Sequence, residues 1–270
     1  MPELPEVETI KSQLIPLVVG RRIQSVEFLW QKILLTPSVE EFNQRVEKRL
    51  IERLDRRGKY LILCLDNGDA LLVHLRMTGS FLVGEDNTLP NRHVRAVVHL
   101  DNGLKMFFVD PRKFGKFQLL SGDSSALLKL GPEPMSDVFT EQRLTAILDG
   151  KKSPVKALLV DQSMIAGIGN MYADEVLYEA GIHPLRLASS LSSQEIIRLH
   201  GAIKRILKEA IDSGGASVSD YFHPDGTKGK AQESFKVAHR SAKNCFVCGR
   251  LIERIVVRQR GTCFCPNCQR

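Results

Sequence analysis

The stretch Tyr60-Leu61-Ile62-Leu63-Cys64-Leu65-Asp66-Asn67-Gly68-Asp69-Ala70-Leu71-Leu72-Val73-His74-Leu75 sets two apolar runs on either side of an Asp-Asn-Gly turn. Asn-Gly between strand-like runs is a strong hairpin signal, because both residues accept the positive φ that a tight reversal needs. The pattern recurs downstream, where Val94-Arg95-Ala96-Val97-Val98-His99-Leu100 runs into Asp101-Asn102-Gly103 and Leu104-Lys105-Met106-Phe107-Phe108-Val109 follows. Upstream, Val7, Ile10, Leu14 and Leu17 repeat at helical spacing, with Gly20 placed to stop the helix and Pro16 predicted to bend it or end it early. The first 130 residues therefore predict an all-β sandwich or barrel-like domain carrying an N-terminal helix.

Gly131-Pro132-Glu133-Pro134 marks a boundary, after which the texture is helical. Ser153 is placed to cap a helix opening at Pro154. A break at Gly167-Ile168-Gly169-Asn170 precedes a helical pattern from Met171 to Ala180, with Gly181 and Pro184 as its stop. Ser192 and Glu195 have capping-box spacing ahead of a longer helix ending near Gly214-Gly215. The glycine-rich stretch 214–230 reads as a mobile loop with a turn at Asp225-Gly226. A strand pattern from Leu251 to Val257 and a turn around Gly261 close the chain. The expected fold is α+β and multidomain: a sandwich domain over 1–130, a linker over 131–140, a helical domain over 141–240 and a hairpin module over 241–270.

The 270 residues, 43% of them hydrophobic, suffice for a substantial core and for two domains. No run of eighteen apolar residues suggests a membrane span, and the acidic, proline-rich start lacks the character of a secretory signal, so a cytoplasmic protein is expected. The formal charge of +7 is unevenly placed. From Lys204 onward there are 13 Lys or Arg against 6 Asp or Glu, whereas the preceding stretch carries 25 of each sign. Such a field attracts polyanions and speeds encounter with nucleic acid; charge alone fits a solvated basic tail equally well.

Of the six cysteines, Cys64 stands alone and five crowd the end. Cys245-x-x-Cys248 and Cys265-x-x-Cys268 can each present two thiolates to one ion, and the hairpin between them would bring the pairs together. Four sulfurs in a tetrahedron suit a structural zinc, with iron or a pair of disulfides as alternatives. Cys263 breaks the spacing and reads as a spare thiol. A four-cysteine site leaves no open position for water, so the metal is expected to fold the hairpin, not to catalyse. Arg258 and Arg260, near the hairpin tip, are candidates for contact with phosphate or a base.

Further motifs run along the chain: Met1-Pro2-Glu3-Leu4-Pro5-Glu6-Val7-Glu8-Thr9, Arg57-Gly58-Lys59-Tyr60, His74-Leu75-Arg76-Met77-Thr78-Gly79 and Asp110-Pro111-Arg112-Lys113-Phe114-Gly115. Asp161-Gln162, Ala166-Gly167-Ile168-Gly169-Asn170-Met171-Tyr172-Ala173-Asp174-Glu175, Arg260-Gly261-Thr262 and the four cysteines follow. Taken together and in this order, these blocks resemble those of the bacterial formamidopyrimidine-DNA glycosylase family. The resemblance implies a β-sandwich domain, a helical domain with a helix–two-turn–helix element and a hairpin holding one structural zinc per chain. It also implies a monomer that binds damaged duplex DNA between its lobes and flips the lesion into a pocket.

The resemblance assigns the chemistry to Pro2, once Met1 is removed. An α-amine has a reference pKa of about 8 and deprotonates more readily than lysine. Attack on C1′ would expel the base and leave an iminium, which permits β- and then δ-elimination. Glu3 would move a proton near the sugar oxygen, Glu6 would support the arrangement, and Lys59 would contact phosphate or lesion. By the same resemblance Met77, Arg112 and Phe114 are the side chains inserted into the opened duplex. Asn170 and Arg260 would clamp phosphate, His74 and His93 would lie near the DNA backbone, and Lys156 would bind phosphate or discriminate the lesion. Two stretches depart from the family pattern: Gly226-Thr227-Lys228-Gly229-Lys230-Ala231, and Ala238-His239 where Tyr-Gly is common. These bear on lesion preference. The Leu4-Pro5 form of the start favours the purine-directed branch over an endonuclease VIII-like pyrimidine enzyme. A non-catalytic zinc-containing DNA-binding protein is the remaining alternative.

Overall fold

The computed structural model describes residues 1–85, 92–122, 129–218 and 222–270. The chain forms two compact units, one of residues 1–128 with 214–230 and the other of residues 129–213 with 231–270. The glycine-rich stretch expected to belong to the helical domain thus folds with the sandwich. Its attachments explain why: Val83 N–H donates to Pro224 O at 3.0 Å, and Ala216 pairs with Lys230 to close the stretch on itself.

The first unit opens with α1 (Leu4–Val18), followed by β1 (Ile23–Phe28), β2 (Leu34–Thr36), α2 (Val39–Val46), β3 (Ile51–Arg57), β4 (Tyr60–Leu65) and β5 (Asp69–His74). Strands β6 (Ser80–Gly84), β7 (Val94–Leu100), β8 (Lys105–Val109) and β9 (Lys116–Ser121) follow. They form two sheets, ordered β1-β7-β8-β6 and β2-β9-β5-β4-β3. Both Asn-Gly turns close antiparallel hairpins, with Gly68 and Gly103 at φ +81° and +82°. Strand periodicity sorts the side chains: Leu71 and Val73 of β5, Met106 and Phe108 of β8 and Phe117 of β9 enter the main core, while Ala70 and Leu72 join a smaller outer cluster. Helix α1 lays Val7, Ile10, Leu14 and Val18 into the same core. Each such burial contributes about 1.5–3 kcal/mol. That anchoring explains why the helix passes through Pro16 and continues to Val18, where the sequence alone suggests a bend or an earlier end.

The second unit contains α3 (Glu141–Leu148), α4 (Val155–Leu159), α5 (Asn170–Ala180), α6 (Ser193–Asp212) and the hairpin of β10 (Glu253–Val257) with β11 (Arg260–Phe264). Ser192 and Glu195 form the expected reciprocal cap of α6, and Gly181 ends α5 at φ +70°. Two local expectations are corrected. Ser153 does not cap α4; Pro154 holds that position, and the Ser153 hydroxyl accepts from Arg258 Nη2 at 2.9 Å. The hairpin reverses at Arg258-Gln259, both at positive φ, while Gly261 lies within β11. The Arg254 guanidinium lies over Gly261, and this glycine does not form the turn.

Candidate active site

Pro2 is buried and immediately precedes Glu3, the N-cap of α1. Glu3 and Glu6 cap each other reciprocally, the Glu6 carboxylate accepting from Glu3 N–H at 2.7 Å. The other Glu6 oxygen accepts from Ala216 N–H at 2.8 Å. Gly215 makes that approach possible: at φ +74°, an added Cβ would stand 3.0 Å from Glu6 Cγ and Oε1. The segment around Pro2 is therefore fixed by a carboxylate anchored at two backbone amides. A carboxylate in the first turn also suits the helix dipole.

Lys59 is buried although charged, and follows Gly58, whose φ is +56°. Across the β4–β5 pairing from Tyr60, His74 ends β5 with its ring edge-on to that tyrosine and its Nδ1 accepting from Arg76 N–H at 2.9 Å. Burial, reinforced by the charges of Arg76 and Lys59, lowers the His74 pKa to about 3. The ring is neutral near pH 7, and with Nδ1 accepting, Nε2 carries the hydrogen. His93 also approaches a cation, its Nδ1 lying 3.4 Å from Arg95 Nη2.

Met77 and Phe114 are 40% and 48% exposed. Arg112 is also exposed and lies over the Phe114 ring, 4.9 Å from its centroid. Two loops carry these residues, and a buried carboxylate that the sequence reading passed over ties the loops together. Asp110 accepts from Thr78 Oγ1 on the Met77 loop and from Gly115 N–H at 2.7 Å and Arg112 N–H at 3.2 Å on its own. The only signal for it was its place at the head of the motif.

In the second unit, Asn170 is the first residue of α5 and donates through Nδ2 to Gly261 O at 2.8 Å. This sets it next to exposed Arg260 on β11. Among the described residues, Asn170 Oδ1 has no hydrogen-bond partner. An exposed guanidinium beside a helix start makes a suitable anion subsite. Lys156 does not join it. The lysine is 1% exposed, and its Nζ donates to Asp174 Oδ1 at 2.5 Å and to Thr262 Oγ1 at 2.7 Å. Asp174 also accepts from Cys263 N–H at 2.9 Å, so the lysine braces α4, α5 and β11 inside this unit. Ala238 and His239 likewise belong to the second unit, where the Glu175 carboxylate accepts from the N–H groups of Lys236, Val237 and Ala238 at 2.8, 2.8 and 2.7 Å. His239 takes φ +58°, a backbone conformation that glycine fills more easily.

The Sγ atoms of Cys245, Cys248, Cys265 and Cys268 all lie within 4.8 Å of one another, with 3.9 Å between Cys245 and Cys268 and 3.4 Å between Cys248 and Cys265. Tetrahedral zinc with Zn–S bonds of about 2.3 Å needs sulfurs roughly 3.8 Å apart, so the four residues fit one structural zinc. Cys263 is buried but is not one of the four.

Sequence profiles of three domains match in order: the formamidopyrimidine-DNA glycosylase N-terminal domain over residues 1–117, the formamidopyrimidine-DNA glycosylase H2TH domain over 130–221, and the zinc finger found in FPG and IleRS over 243–270. The chain is 45% identical over 273 residues to the formamidopyrimidine-DNA glycosylase of Roseiflexus sp., covering 100% of both chains. It is 46% identical over 272 residues to that of Chloroflexus aurantiacus, covering 100% of this chain and 98% of the relative. A crystal structure of a Lactococcus lactis FPG mutant in complex with Fapy-dG-containing DNA is similar with a TM-score of 0.94 and 35% identity, covering 100% of each chain. The L. lactis Fpg complex with abasic-site-containing DNA gives 0.93 and 34%, covering 99% of each.

Proposed function

Because the chain belongs to the formamidopyrimidine-DNA glycosylase family, we propose that it excises oxidised purines, both formamidopyrimidines and 8-oxoguanine, from duplex DNA and then cleaves the abasic strand. The observation that carries this reading is the anchoring of Glu3 and Glu6 immediately behind Pro2. With Met1 removed, the secondary amine of Pro2 attacks C1′, and the damaged base departs with the bonding electrons and takes up a proton. Glu3 protonates the ring oxygen as the C1′–O4′ bond opens, leaving an iminium at C1′. That electron sink acidifies the C2′ hydrogen, so its loss expels the 3′ phosphate; a second elimination expels the 5′ phosphate. Glu6 acts by holding Glu3, and Lys59 neutralises phosphate or lesion charge.

DNA recognition in this proposal divides between the units. Met77, Arg112 and Phe114 fill the space left by the flipped nucleotide, and their exposure supports that use. His74, through its Nε2–H, and His93 contact the backbone from the first unit, while Asn170 and Arg260 hold phosphate from the second. Zinc supplies no chemistry; it folds the hairpin that carries Arg260. Lys156 is assigned to the interior bracing of its unit and not to DNA. The protein works as a monomer in the bacterial cytoplasm; no helix among the described residues is long and apolar enough to cross a membrane.

The test is borohydride capture of the mature protein on a duplex carrying one 8-oxoguanine or formamidopyrimidine. Covalent capture at Pro2, located by peptide mass spectrometry, is the expected result. Absence of capture by protein lacking Met1 would refute the imine. Faster excision of an oxidised pyrimidine in parallel reactions would move the chain to the endonuclease VIII-like reading.

A further inference from the structure

We infer that His223 is a positioning residue for the Pro2 reaction, acting through the backbone of Gly214–Ala216 upon Glu6. The inference rests on the reading of Pro2 as nucleophile. His223 is buried within the first unit. Its Nε2 lies 2.7 Å from Gly214 O. A carbonyl can only accept, so Nε2 carries the hydrogen. On the other edge, Nδ1 lies 2.9 Å from Thr227 Oγ1 and 3.3 Å from Gln13 Nε2 of α1. The ring therefore links three segments: the start of the glycine-rich stretch, its turn at Asp225–Thr227, and the helix that begins beside Pro2.

The neighbouring geometry transmits this restraint. Gly214 stands so close that an added Cβ would lie 2.9 Å from His223 Cε1, and its φ of +74° is one that other residues rarely adopt. Gly215 presses on Glu6, and Ala216 N–H donates to the Glu6 carboxylate at 2.8 Å. Glu6 in turn accepts from Glu3 N–H at 2.7 Å, one residue from Pro2. With Gly214 O held by the imidazole, the Ala216 amide has little freedom to leave Glu6. With that bond released, the two successive glycines, the most flexible residues available, keep only the Ala216–Lys230 bridge and the bond to Glu6 to hold them in register. Near the reacting atoms a displacement of about 1 Å costs on the order of a hundred-fold in rate. In sequence this histidine shows nothing beyond a place in a loop.

The test compares H223A, H223N and H223Q with the wild type. Gln extends an amide N–H to the position of Nε2, whereas Asn is too short to reach Gly214 O. The substrate is a duplex with a single abasic site, which carries no damaged base to be recognised. Borohydride capture on it therefore reports the amine's placement and not base recognition. The expected result is capture slowed about ten-fold or more in H223A and H223N, with affinity for the duplex little changed and near-normal capture in H223Q. Hydrogen exchange at the Ala216 amide is the second readout, taken against Leu71 in β5. Protection at Ala216 should fall in H223A and H223N alone, with Leu71 still protected. Wild-type capture rates in H223A, or unchanged Ala216 protection, would overturn the inference. Failure of the wild type itself to be captured would instead count against the reading of Pro2, while the exchange comparison would still test the restraint on Ala216.

Discussion

The carboxylate of Glu6 accepts a hydrogen bond from the backbone of Ala216, 210 residues further along the chain, at 2.8 Å. Gly215 determines whether this bond can form. Replacing it by alanine adds a Cβ at 3.0 Å from the Glu6 side chain and forces a left-handed conformation costing about 1–2 kcal/mol. The G215A protein is expected to unfold at lower urea concentration and to lose imine capture more steeply than stability. Parallel urea titration and borohydride capture check both effects.

His74 makes the sandwich unit acid-sensitive. Its pKa is about 3 in the folded chain against 6.5 ordinarily, so the unfolded state binds the extra proton first. The contribution is therefore complete above pH 6.5 and is lost as pH falls towards 3, with a slope of up to roughly 1.4 kcal/mol per pH unit. Urea titrations at pH 7 and pH 5 should show a smaller loss of stability for H74Q than for the wild type. Equal losses would mean that the imidazole is not the group responsible.

Lys156 and Phe114 should behave oppositely. K156M leaves Asp174 buried with its ammonium partner gone, which costs about 3–5 kcal/mol. The salt dependence of DNA binding should stay as it was, because no phosphate contact is removed; a slope smaller by about one would identify a phosphate contact instead. F114A removes an exposed ring and should leave the urea midpoint unchanged. Its affinity for lesion duplex should fall by about 1–3 kcal/mol, the order found for base–aromatic stacking.

Cys263 and Cys265 are both buried, but only Cys265 belongs to the sulfur cluster. Elemental analysis should find one zinc in C263S and a substoichiometric amount in C265S. Chelation of the wild type should unfold the hairpin and weaken DNA binding through Arg260, and added zinc should restore both.

The two Asn-Gly hairpins, the α6 cap and the sulfur cluster could all be read from the sequence, because each depends on residues near one another in the chain. The roles proposed for Pro2, Glu3, Glu6, Met77, Arg112 and Phe114 rest on their flanking motifs, because no single one of these residues is distinctive in the sequence. What escaped depended on distant partners. Lys156 looks like any basic residue until Asp174 and Thr262 enclose it. Asp110 becomes an organiser only when Thr78 reaches it from another strand connection. The stretch 214–230 reads as a loop of the helical region because its composition carries no trace of Val83 or Glu6, to which it is bound.

The return of residues 214–230 to the sandwich also sets a schedule for biosynthesis. A ribosome adding about 5–20 residues per second needs roughly ten to forty seconds to pass from Glu6 to Ala216. During that interval the nascent sandwich lacks the amide that restrains Glu6, so the amine end of the chain matures only after residue 216 has been made. A polypeptide released before residue 216 would carry the whole N-terminal motif and still lack the bond that holds it in order.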